Sequence, residues 1–160
     1  MAKKAREAKA RAKPQVKAAK APAGAVLGKT PREYYEAIKL PLAVLVVWSV
    51  IGFLAALAVP PLVFITALVS LILALATGLY VGWTMVKRER GGLPQALVAG
   101  AALGVIANAV GRALDVILSL MQAGALGAGV AVVAAIIGIV AGGIIEAALA
   151  AIGALAAKYV

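Results

Sequence analysis

The chain has 160 residues, of which 64% are hydrophobic, 14% charged and 5% aromatic. Soluble domains run near half apolar and a quarter charged, so this composition excludes an ordinary water-soluble globule and suits a chain dissolved in lipid. The net charge of +10 is gathered at one end: residues 1–39 hold eleven Lys or Arg against three Glu, 11 − 3 = +8.

There is no Cys and no His. Disulfides, thiol catalysis, zinc sites of the usual kind and haem ligation by these residues are therefore not expected. Six acidic residues spread along the whole chain make a poor carboxylate metal cage. No cofactor and no metal is expected.

In chain order, residues 1–29 come first, Ala/Lys-rich and interrupted by Pro14, Pro22 and Gly24. Such a segment cannot bury enough apolar surface to fold and is predicted to be a disordered basic tail. Its cations Lys3, Lys4, Arg6, Lys9, Arg11, Lys13, Lys17 and Lys20, with Lys87, Arg88 and Arg90 further on, are candidates to contact anionic lipid headgroups or the phosphates of RNA. No aromatic residue is interleaved before Tyr34, so base stacking is not indicated. The plainest role is a solvated tail that fixes topology.

"TPRE" at 30–33 follows. Thr30 as N-cap, Pro31 in the first turn and Glu33 three residues on form a capping box. A short interfacial helix is predicted over 30–39, closed by Lys39.

From Leu40 to Val86 no side chain is charged. One helix of that length would extend about 70 Å, more than twice the roughly 30 Å hydrocarbon core. Two spans are therefore predicted, about 40–59 and 62–86, with the paired prolines of "VPPL" at 59–62 turning the chain. Tyr80 and Trp83 just before "KRER" follow the order expected at a membrane interface: apolar, then aromatic, then basic. A basic segment, an apolar run and "ALA" at 56–58 also imitate a secretory signal. A 39-residue basic region that leads into a further span fits a retained anchor better.

After the 87–92 loop, a third span is predicted at about 93–118 and a fourth at about 128–150, joined by the Gly-rich "MQAGALGAG". The expectation is an all-α, polytopic integral membrane protein: a four-helix transmembrane bundle over 40–160. The basic tail and the 87–92 loop flank one side, while the other two loops carry no charge. By the positive-inside rule both termini are cytoplasmic, at the cell membrane.

Gly100, Gly104, Asn108 and Arg112 recur every fourth residue, as do Gly138, Gly142 and Glu146. Small residues at this spacing let helix backbones approach closely. The two stripes are predicted to face each other in an antiparallel hairpin or to meet a second copy. "GVIANAVGRALDVI" (104–117) and "GIVAGGIIEAALAAI" (138–152) also echo one another, which Ala/Gly-rich sequence produces by chance.

The polar residues on these stripes have two readings. Asn108, Arg112, Asp115 and Glu146 could line a path for an ion or a proton, since ionisable groups inside a membrane are usually functional. Alternatively, Arg112 and Asp115 form an interfacial pair at the end of the third span, with Glu146 near the cytoplasmic interface. No nucleophile–base pair or phosphate loop can be assembled, so catalysis is not expected. Two functions follow: a non-catalytic scaffold or accessory subunit, acting as a homo-oligomer or within a membrane complex, or an oligomeric channel or transporter.

Overall fold

The computed structural model describes residues 24–160, and the tail before Gly24 lies outside them. Among the described residues the architecture is all-helical, without strands. Three helices are long and apolar enough to cross a membrane: α1 (Pro31–Ala58), α2 (Val63–Lys87) and α3 (Leu93–Tyr159). At 1.5 Å per residue, α1 and α2 extend about 42 and 38 Å, enough for one bilayer crossing each.

The start of α1 forms as its sequence dictates. Glu33 N–H donates to Thr30 Oγ1 at 3.4 Å while Thr30 N–H donates to Glu33 Oε2 at 2.7 Å, which satisfies two amides that a helix start otherwise leaves orphaned. The predicted break after Lys39 does not occur, and the interfacial segment and first span are one 28-residue helix. Pro41 lies inside it. Proline's fixed φ is already helical, but its missing N–H removes one ladder bond and its ring crowds the carbonyl one turn back. Burial of Pro41 alongside Ala37 and Ile38 helps hold the helix through that gap.

The paired prolines do turn the chain. Helix α1 ends at Ala58, and a single 3-10 turn, Pro60–Leu62, leads into α2. Further along, the Trp48 indole N–H donates to Ser70 Oγ at 2.8 Å, tying α1 to α2.

Helix α3 spans 67 residues but is broken at Gly124, whose φ of 67° and ψ of −159° are not helical. A positive φ costs glycine nothing and strains any other residue. The expected nine-residue turn thus shrinks to one residue, and helix continues on both sides of it. The two limbs, 93–123 and 125–159, lie against each other: Gly104 meets Gly142, Gly100 meets Glu146 and Arg112 meets Gly138. These pairs are centred within a residue of Gly124, as an antiparallel hairpin requires.

The start of the described chain also differs from its composition. Residues 24–29, grouped with the tail on sequence, fold onto the basic end. Val26 and Lys29 pair through both backbone groups, the Tyr34 hydroxyl donates to Val26 O at 3.0 Å, and Gln95 Nε2 donates to Leu27 O at 2.9 Å. Lys29 Nζ pairs with Glu33 at 2.8 Å and donates to the Glu89 carbonyl. Side-chain partners on α1 and α3 supply what apolar burial could not.

The core is asymmetric. Its buried residues come from Tyr34–Pro41 of α1, Thr77–Met85 of α2, and Ala96–Ala107 and Gly143–Ala157 of α3, all in the half of the molecule that holds the 88–92 loop. The opposite end is open, with Phe64 84% and Leu126 88% exposed.

Candidate functional site

The site grows out of the glycine seam. A β-carbon placed on Gly104 would overlap the Gly142 carbonyl, and one on Gly100 would overlap the Glu146 carbonyl. The limbs of α3 therefore touch backbone to backbone, and the contact is within the chain. A second seam joins α2 to the returning limb. A β-carbon on Gly82 would overlap the Ala150 carbonyl, and one on Gly153 would overlap that of Leu79. Val81 and Met85 fill the space beside it, fully buried. Sequence reasoning missed this seam, although Gly78 and Gly82 have the same four-residue spacing as the stripes it noticed.

Glu146 sits where these seams converge. It is 3% exposed, and a β-carbon on Gly78 would lie 2.5 Å from its Oε2. That oxygen has no hydrogen-bond partner among the described residues. Its level is set by its neighbours. Gly78 is nine residues before Lys87, about 14 Å along α2, and Gly100 is seven after Leu93, about 10 Å along α3. Glu146 thus lies about 10–14 Å in from the helix ends that flank the 88–92 loop. The returning helix runs on to Tyr159, and Glu146 lies well inside the bundle.

The other polar residues lie farther toward the open end and are spent on packing. Asn108 Nδ2 donates to Gly104 O at 2.8 Å, and its side chain lies against Gly142. The Arg112 guanidinium covers Gly138, and its Nη1 pairs with Asp115 Oδ2 at 3.1 Å. Both side chains of that pair are well exposed, 43% and 59%. Arg112 is two helical turns from Gly104, the level of Glu146, and the two do not pair. Arg112 and Asp115 thus form a pair, Asn108 bonds its own helix, and Glu146 pairs with none of them.

The chain matches no known protein family, no curated protein and no solved structure. The described residues hold no group of three or more Asp or Glu arranged for a metal ion. Two polar side chains share the interior with Glu146: Thr77 and Thr84. The Thr77 hydroxyl donates to Leu73 O at 2.7 Å, as hydroxyls in apolar helices commonly do. Of the basic residues considered for anionic partners, Lys87, Arg88 and Arg90 gather at the end where Lys29 anchors the N-terminal segment. Lys3, Lys4, Arg6, Lys9, Arg11, Lys13, Lys17 and Lys20 lie outside the described residues.

Proposed function

We propose that the protein is a non-catalytic integral membrane scaffold or accessory subunit, built as four spans with α3 contributing two of them. The observation that carries this reading is that Asn108, Arg112 and Asp115 are consumed in packing and pairing. The glycine seams join the protein's own helices, so any partner or second copy would meet the broad apolar exterior. The basic tail and the 88–92 loop would face the cytoplasm, where anionic lipid or RNA phosphates are available to them.

Topology is tested first. The chain has no cysteine, so single cysteines report without background. Gly129→Cys, at a position with open space around it, is expected to react with an impermeant thiol reagent applied outside intact cells. Val160→Cys is expected to react only after permeabilisation. The reverse pattern would overturn the orientation, and two externally labelled sites would overturn the fourth span.

A second reading is favoured by Glu146. A buried carboxyl with a free oxygen is suited to taking up and releasing a proton, as expected of a channel or transporter. Vesicles holding the purified protein separate the two functions. The scaffold predicts no proton flux under an imposed gradient. Flux in the wild type that disappears in a folded Glu146→Gln variant would replace it with the transport reading.

A further inference from the structure

A cavity of about 310 Å³ opens between α1 and α2 at the basic end, lined by Glu36, Lys39, Tyr80, Thr84, Arg88 and Glu89 among others. It belongs to neither glycine seam. Thr84 is 4% exposed, yet its Oγ1 has no hydrogen-bond partner among the described residues. That sets it apart from Thr77 on the same helix. A buried hydroxyl left unpaired in a folded protein is uncommon and calls for a partner.

The charges at the cavity are divided unevenly. Lys39 is tied to Glu36 at 2.5 Å. Arg88, which is exposed, and Glu89, which is half-buried, make no side-chain ion pair among the described residues. The Glu89 carbonyl is held by Lys29, which fixes this stretch of loop against the start of α1. Residues of the cavity lining thus carry an unpaired guanidinium, an unpaired carboxylate and a buried orphan hydroxyl. The four formal charges around it cancel.

We propose that this cavity seats the headgroup of a zwitterionic aminophospholipid. Arg88 and the Thr84 hydroxyl take the phosphate, and Glu89 takes the ammonium. A guanidinium matches two phosphate oxygens through parallel N–H donors, and the hydroxyl adds a third donor. The carboxylate disfavours headgroups that carry only negative charge. Exposed Leu40 at the rim leads toward the outer apolar surface of α1, where acyl chains would lie. The proposal rests on the reading that these helices span a bilayer, because only then does the cavity open at headgroup level.

The test is native mass spectrometry of the full chain in detergent, titrated separately with phosphatidylethanolamine, phosphatidylglycerol, soluble glycerophosphoethanolamine and inorganic phosphate. Phosphatidylethanolamine is expected to bind tightest. Thr84→Val keeps the side chain's shape and removes its hydroxyl, and Arg88→Gln removes the exposed cation. Each is expected to weaken that binding by about tenfold, the loss of one charge-assisted contact, with thermal melting of Arg88→Gln unchanged. Equal retention of phosphatidylglycerol would overturn the proposal, as would wild-type lipid binding in Arg88→Gln. Equally tight binding of either soluble phosphate compound would overturn the lipid as its source. Failure of the protein to float with liposomes would overturn the membrane reading itself, separately from the binding result.

Discussion

Replacing Gly82 by alanine is expected to loosen the bundle more than any other single methyl addition in the chain. The new β-carbon would fall on the Ala150 carbonyl and 2.7 Å from the Ala154 amide nitrogen. Both are backbone atoms of a helix, so neither can swing aside, and α2 must retreat from α3. Overpacking of this kind costs about 1–3 kcal/mol, occasionally more. Gly153→Ala, against the Leu79 carbonyl, should behave similarly. Gly138→Ala should cost less, because its neighbour is the flexible end of Arg112. Gly129→Ala, with nothing near it, should be neutral or slightly stabilising through helix propensity. Thermal unfolding in detergent, followed by tryptophan fluorescence, would rank the four. A Gly82→Ala protein as stable as Gly129→Ala would mean that the α2–α3 contact is not close.

Glu146→Lys is expected to eliminate folded protein. The Glu146 side chain is crowded by Gly78 of α2 and Gly104 of α3, and it makes no ion pair among the described residues. Taking an ammonium out of water costs several kcal/mol even after relaxation, and lysine is also longer than the glutamate it replaces. Net stabilities of about 5–15 kcal/mol leave little to absorb both penalties. Glu146→Gln keeps the shape without a charge and is expected to remain folded. Size-exclusion profiles of the two variants give the comparison. A monodisperse, wild-type profile for Glu146→Lys would show that this position reaches water.

Much of the helical plan was legible in the amino-acid sequence because it depends on local or purely apolar signals. Unbroken apolar length demanded membrane-spanning helices, the Thr30–Glu33 box marked where α1 begins, and paired prolines marked where it stops. What was not legible depended on contacts between distant residues. Lys39 looked like a boundary until packing at Tyr34, Ala37 and Ile38 carried the helix through it. The break in α3 was hidden because Gly124, Gly127 and Gly129 offered equivalent positions. The burial of Glu146 depends on close approach of Gly78 and Gly104, residues far from it in the chain. The cavity at Thr84 draws on two stretches of chain about forty residues apart, 36–40 and 80–89, and no spacing rule joins them.

The single-residue corner at Gly124 gives the last two helical limbs a strict phase relation. Each residue advances a helix by about 100°. One residue inserted between Gly104 and the corner would turn Gly100 and Gly104 away from Gly142 and Glu146 and bring bulkier neighbours into the contact. With no loop to absorb the change, length variation in this hairpin is confined to whole turns added in both limbs together. Such additions would lengthen the open end and leave the level of Glu146 untouched. The two ends of the molecule are therefore under unequal constraint: the basic end is fixed by backbone contact, and the far end is free to match bilayers of different thickness.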